Sequence, residues 1–195
     1  MCLQNCLNKC KSNCKMILSD KFKANYKFKL GKDLLLSDEA MIELILTWCD
    51  KLKVTDIRQK AYILSSIFHE CAGHFKPIEE IGKGKGLQYG TPNASGKTYF
   101  GRGLIQCTWD YNYAKFKRLL GVDLIDKPEL ALDPDISVQI AVRGMKSGLF
   151  TGKKLDDYFN LEKEEPVNAR RIVNGQDKAV LIANYYVKFL ELLTT

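Results

Sequence analysis

The sequence predicts a mainly α fold with a glycine-rich, irregular lobe between two helical halves. Three observations lead there. Apolar residues return every three or four positions along several stretches, as one buried face of a helix requires. Those stretches begin and end on capping and stop residues. Between them, residues 76–103 gather Pro77, Gly82, Gly84, Gly86, Gly90, Pro92, Asn93, Gly96, Gly101 and Gly103, interleaved with Tyr, Phe, Thr and Leu. That composition reads as an irregular lobe with a small hairpin. Long loops with their own turn chemistry often carry function.

Taken in order, residues 1–30 are rich in Lys, Asn and Cys and read as an N-terminal appendage. The compact domain is expected at 31–195. Ser37 or Asp38 can cap a helix on which Met41, Ile45, Trp48 and Leu52 share a face. A second helix starts near Thr55 or Asp56, with Ile57, Ala61, Leu64 and Phe68 facing inward. It runs into His69-Glu70-Cys71-Ala72-Gly73, where Gly73 is a stop signal. Helices resume after Thr108, with Gly121 as a stop. Asp133-Pro134 is a cap followed by proline at the first helical position, and that helix reaches about Ser147. A last helix begins near Asp177, with Ala179, Ile182, Ala183, Tyr186, Leu190 and Leu193 as its inner stripe.

The chain has 195 residues, 46% of them hydrophobic, enough for one domain with its own core. It contains no apolar run of about 18 residues, so no membrane span is expected. Its start lacks the basic and apolar regions of a secretory signal, so synthesis in the cytoplasm is expected. The net charge of +7 draws the protein to polyanions. Nucleic acid and a bacterial cell wall both qualify. The basic residues are scattered and form no nucleic-acid-binding motif, so no nucleic-acid partner is expected.

There are seven cysteines. Cys2, Cys6, Cys10 and Cys14 recur every fourth residue, a stripe down one side of a helix. The readings are a soft-metal clip, lipidated thiols, or a frayed terminus in a reducing compartment. No histidine or distant cysteine pair completes a zinc pattern. Cys49, Cys71 and Cys107 sit among apolar residues and read as small core residues.

Glu70 ends a helix with an apolar face, just before the turn-rich lobe. A carboxyl against an apolar wall tends to keep its proton, as a general acid for glycoside cleavage must. An ordinary surface glutamate is the competing reading. Glu79 and Glu80 follow in the lobe, either as an exposed acidic turn or as a second carboxyl across a cleft. Two carboxyls about 6.5–9.5 Å apart leave room for an attacking water. His69 and His74 superficially suggest a zinc-protease motif. That motif needs histidines four apart; five apart places them about 140° around a helix. Cys107 with His74 is the one cysteine–histidine pair from separate segments, a weak candidate for nucleophilic catalysis. Both histidines read more simply as structural.

Several blocks together are specific. They are Ala61-Tyr62-Ile63-Leu64 running to His69-Glu70, Lys76-Pro77-Ile78-Glu79-Glu80-Ile81-Gly82, and Tyr99-Phe100-Gly101-Arg102-Gly103-Leu104-Ile105-Gln106-Cys107-Thr108-Trp109. Asn112-Tyr113-Ala114, Leu130-Ala131-Leu132-Asp133-Pro134, Gly144-Met145-Lys146, Phe150-Thr151-Gly152 and Asn168-Ala169-Arg170-Arg171-Ile172-Val173-Asn174-Gly175 follow. In this order and spacing, over about residues 33 to 193, the chain resembles the glycoside hydrolase family 19 chitinases, and among them the compact bacterial and phage endolysin-type members.

The resemblance implies a lysozyme-like, two-lobed fold in which the glycine-rich lobe flanks a substrate cleft. It implies inverting hydrolysis of β-1,4 links in N-acetylglucosamine polymers, chitin or peptidoglycan, at a cell wall or outside the cell. Glu70 matches the catalytic acid and Glu80 the base that activates water. Thr108 matches the residue that helps hold that water. Gln106, Tyr111, Asn112 and Asn174 match residues that bind sugar hydroxyl and acetamido groups; amide side chains suit an N-acetyl group because they both donate and accept. Trp109, Tyr111 and Tyr113 could stack on sugar faces, though Trp109 and Tyr113 read more simply as core aromatics; Gly101 and Gly103 are expected at a tight turn near substrate. Arg102 is a candidate partner for a cleft carboxylate, Glu70 among them.

The chain departs from the family at Glu79, where many relatives have Arg, and at Cys71 and His74. An extra residue precedes Phe75, and residues 1–30 have no counterpart. No metal or organic cofactor is needed for this chemistry, and a monomer is expected. The alternative from another class is a non-catalytic chitin- or peptidoglycan-binding module, or a virion-associated wall protein.

Overall fold

The computed structural model describes residues 16–195. Among the described residues six α-helices carry the fold: α1 (Asp20–Leu30), α2 (Leu36–Lys51), α3 (Ile57–Glu70), α4 (Asp110–Leu120), α5 (Pro134–Ser147) and α6 (Ala179–Thr194). Two short strands, β1 (Ile78–Glu79) and β2 (Arg102–Gly103), pair antiparallel with Ile78 opposite Gly103 and Glu79 opposite Arg102. Among the described residues this ladder is the only sheet. Short 3-10 turns lie at Gln88–Gly90, Pro128–Leu132, Leu155–Asp157 and Asn168–Ile172. The architecture is the mainly α one predicted, with the lobe between α3 and α4.

α3 is the central element. Asp56 caps it, accepting from the Arg58 N–H at 2.9 Å. Every residue from Gln59 to Phe68 is buried. A helix covered on all sides belongs to a core, and α6 is its most extensive neighbour. Phe68 and Phe189 meet edge to face at 5.6 Å between ring centres, and Phe75 packs on Phe189 at 5.8 Å. Offset and edge-on rings of this kind add to the hydrophobic gain from burial. The inner stripe of α6 is Ala179, Ile182, Ala183, Tyr186, Phe189 and Leu192. Leu190 and Leu193, expected in that stripe, are partly buried at its edges.

The expected boundary at residue 30 moves toward the N-terminus. Ser19 caps α1, accepting from the Phe22 N–H at 3.1 Å. Gly31 closes the helix in the left-handed region at φ 73, where glycine carries no side-chain penalty. Phe22, Tyr26 and Leu30, four residues apart, are buried in the same core as α3 and α6. The intervening lysines hid this stripe in the sequence. Cys2, Cys6, Cys10 and Cys14 lie outside the described residues.

Caps explain most other boundaries. Gly121 ends α4 at φ 69 and Gly148 ends α5 at φ 68. Asp133 caps α5, accepting from the N–H groups of Asp135 and Ile136. α2 departs from expectation: neither Ser37 nor Asp38 caps it, and it starts at Leu36. Asp38 is buried and accepts from the Phe75 N–H at 2.8 Å. Its other oxygen lies 3.2 Å from His74 Nδ1. This carboxylate therefore ties the turn that follows Glu70 to α2. No helix among the described residues is long and apolar enough to cross a membrane.

Candidate active site

A cleft of about 430 Å³ opens where the end of α3, the lobe, the start of α4 and the segments 150 and 173–174 meet. Glu70, Glu80, Gln106, Thr108, Tyr111, Asn112 and Asn174 all line it. The chain thus brings together every sequence-predicted site residue, from segments spread over 105 positions of sequence between Glu70 and Asn174 when both ends are counted.

Glu70 is the last residue of α3. Arg170, itself buried, donates from Nη1 to Glu70 Oε1 at 2.7 Å. Arg170 also donates from Nε to the Asp177 carbonyl at 3.0 Å. The guanidinium is therefore fixed from two sides and holds the carboxyl of Glu70 in place. This corrects the expectation for Arg102, which never reaches Glu70. Arg102 is buried in the lobe, stacked 3.6 Å over the Phe100 ring, and it donates to the Thr98 carbonyl and the Tyr113 hydroxyl. Arg170 lies in the segment 168–175, and local spacing does not point it at Glu70.

The two adjacent carboxylates of the lobe separate cleanly. Glu79 ends β1 and Glu80 follows it, and the extended backbone sends the two side chains to different surroundings. Glu79 pairs with Lys83 at 2.8 Å and with Arg102 at 3.4 Å, and it does not line the cleft. The Lys83 hydrogen bond, aided by the charges of Lys83 and Arg102, holds its carboxyl below the usual glutamate range. Glu80 faces the cleft. Its Oε2 accepts from the Gly101 N–H at 2.9 Å and its Oε1 from the Tyr89 hydroxyl at 2.8 Å.

The polar row after the Gly-Arg-Gly turn forms one hydrogen-bonded chain. Thr108 Oγ1 donates to the Gln106 carbonyl at 2.8 Å, so its proton is committed and its oxygen is left to accept. Asn112 Nδ2 donates to the Thr108 carbonyl at 2.9 Å, and Lys115 donates to Asn112 Oδ1. Gln106 Nε2 is shared between the carbonyls of Ile78 and Gly103. The amide nitrogens of Gln106 and Asn112 thus order the lobe as well as bordering the cleft. Asn174 also lines the cleft and is exposed, and its Oδ1 accepts from the Gly175 N–H.

Trp109 differs from expectation. It is half-buried and lines the cleft. Its backbone sits at φ 74, a region uncommon for a bulky residue and frequent at functional sites. Its ring stacks with exposed Tyr111 at 6.0 Å and 19°, and meets Tyr89 edge-on at 5.2 Å. Tyr113, by contrast, is fully buried as expected. Gly101 borders the cleft as anticipated. Gly103, at φ 88, instead packs against Ser137, where a Cβ would stand 2.7 Å from the hydroxyl oxygen.

The rival chemistries find no geometry. His74 is bonded to Asp38. Cys71 and Cys107 are buried, and burial pushes each thiol up to about 12, away from the thiolate a nucleophile needs. Among the described residues no group of three His, Cys, Asp or Glu side chains is placed to hold a metal ion.

A family model described as chitinase class I matches residues 82–146. An endochitinase of Arabidopsis thaliana is 40% identical over 143 residues, 70% of this chain and 48% of the relative. Endochitinase A2 of Pisum sativum is 54% identical over 52 residues, 26% of this chain and 16% of the relative. The chain therefore spans less than half the length of these relatives. The fold of chitinase C from Streptomyces griseus superposes with a TM-score of 0.60 at 21% identity, covering 94% of this chain and 96% of that one. A bacterial family 19 chitinase superposes with a TM-score of 0.54 at 17% identity, covering 88% and 93%. The matched stretch 82–146 includes Gln106, Thr108, Tyr111 and Asn112 but begins after Glu70 and Glu80.

Proposed function

We propose that the chain is a chitinase-like glycoside hydrolase of family 19, which hydrolyses β-1,4 links in polymers of N-acetylglucosamine with inversion at the anomeric carbon. One observation carries the reading: Glu70 and Glu80, from different elements, line one cleft walled by amides and aromatic rings. Two carboxyls in one sugar-sized cleft are the equipment of glycoside hydrolysis.

Glu70 is the acid. Its proton passes to the glycosidic oxygen as the bond from that oxygen to the anomeric carbon breaks. Glu80 is the base. It takes a proton from a water whose oxygen bonds to the opposite face of the same carbon. Thr108, with its own proton given to Gln106, accepts from that water and fixes its orientation. Gln106, Tyr111, Asn112 and Asn174 hold the sugar hydroxyl and acetamido groups. Trp109 and Tyr111 present ring faces to the pyranose.

Chitin is supported as substrate by the endochitinases that the chain matches. The net charge of +7 supports peptidoglycan, whose wall is polyanionic. The test offers both polymers to the purified protein and follows the anomeric configuration of the first product by NMR. The reading expects turnover of at least one of them, an inverted first product, and loss of about a hundredfold or more in Glu70→Gln. A folded protein inactive on both polymers, or fully active as Glu70→Gln, sinks it.

A further inference from the structure

Tyr89 was not singled out by the sequence. It lies in the 3-10 turn Gln88–Gly90 and lines the cleft. Its hydroxyl and the Gly101 N–H each hold one oxygen of Glu80. Two donors on two different oxygens define both the plane and the rotation of a carboxylate. Gly101 is anchored, because its carbonyl accepts from the Glu80 N–H at 2.8 Å beside the β1–β2 ladder. Tyr89 stands on a loop and needs its own anchor.

That anchor is a pair of glycines. A Cβ at Gly84 would stand 2.7 Å from Tyr89 Cε2, so the ring lies directly on the Gly84 backbone. A Cβ at Gly90 would stand 2.0 Å from the Gly84 carbonyl oxygen, so the loop closes on itself with no room for a side chain. Trp109 meets the ring edge-on at 5.2 Å. The Tyr89 carbonyl accepts from the Tyr99 N–H at 3.0 Å. The ring therefore sits in a slot between Gly84 and Trp109, with its hydroxyl aimed at Glu80.

We propose that Tyr89 is a positioning residue for Glu80, and that the Gly84–Gly90 contact is the clasp that sets it. The proposal rests on the reading of Glu80 as the base. A base works only when its lone pair meets the proton within hydrogen-bond reach, and a displacement of about 1 Å at such a site costs on the order of a hundredfold in rate. Two glycines of the lobe thereby set the base through the Tyr89 ring.

The test compares Tyr89→Phe, Gly90→Ala, the double variant and Glu80→Gln on a soluble N-acetylglucosamine oligomer. Tyr89→Phe is expected to lower kcat about tenfold or more with KM within about twofold of wild type. Gly90→Ala is expected to lower kcat similarly, and the double variant to fall no further than Gly90→Ala, since both changes break one contact. Wild-type kcat in Tyr89→Phe, a rise in KM alone, or kcat losses that multiply would each overturn the clasp. If Gly90→Ala does not fold, the kcat and KM of Tyr89→Phe decide the matter. Full activity in Glu80→Gln overturns the base reading and the clasp with it. An inactive Glu80→Gln beside a fully active Tyr89→Phe overturns the clasp alone.

Discussion

Arg170 reaches across the core to Glu70, its Nη1 placed 2.7 Å from Oε1, although the two residues lie 100 positions apart in sequence. Arg170 is almost wholly buried, and the Glu70 side chain is largely so. Breaking a buried pair by removing one partner strands the other charge and costs about 3–5 kcal/mol.

Two substitutions at Glu70 should therefore behave differently. Glu70→Gln keeps an amide oxygen to accept from Arg170 but not the compensating charge, so it should fold, lose turnover and give up part of that stability. Glu70→Ala leaves the guanidinium without its acceptor and should destabilise the protein by about 3 kcal/mol. Urea unfolding of both variants checks this. A Glu70→Ala variant as stable as wild type would show that the pair does not hold the end of α3.

Glu79→Gln should retain activity within about threefold, because Glu79 points to Lys83 and Arg102 rather than into the cleft. Its effect should appear in stability against pH. The Lys83 hydrogen bond lowers the Glu79 carboxyl in the folded protein. A carboxyl lowered by folding stabilises the fold above its unfolded value, near 4.3, and that gain is lost as pH falls through the folded value. Wild type should melt above Glu79→Gln at pH 6, and the gap should close as pH falls below about 4. A gap that widens toward acid would refute the sign.

Removing α1 should be far more damaging than its lysine-rich sequence suggests. Phe22→Ala should cost about 3–5 kcal/mol in chemical unfolding, as large-to-small changes in a core do. Deleting residues 1–30, which takes away Phe22, Tyr26 and Leu30 together, should abolish a cooperative transition. A truncated protein that melts like the full chain would return the boundary to residue 31.

Cys49, Cys71 and Cys107 should resist alkylation at pH 8 until the protein unfolds. All three are buried, with thiols pushed up to about 12 by that burial. Peptide mapping by mass spectrometry, with and without denaturant, reads the outcome. Rapid labelling of any of them in the native protein would contradict their place in the core.

Much of the helical frame was legible because its signals are local. Asp133-Pro134 announced α5 and Gly121 closed α4, since a cap acts within one turn of its own residue. α1 was missed although Phe22, Tyr26 and Leu30 stand at helical spacing; charged neighbours masked the stripe. Residue type alone places Trp109 in the core, since large aromatic side chains are mostly buried. Its left-handed backbone, which turns the ring to the cleft, leaves no mark in composition. Asp38 was read as a cap because acids commonly are, whereas a distant backbone N–H at Phe75 claimed it.

The sequence by itself determined the helices after α1, the glycine-rich lobe between them, and the residue types that glycoside chemistry demands. Only the tertiary structure decided that Glu80 rather than Glu79 faces the cleft, that Arg170 rather than Arg102 holds Glu70, and that Tyr89 grips Glu80. Helix periodicity and capping depend on neighbours three or four residues away. The partner of a charged side chain depends instead on which distant segment the closed core carries up to it.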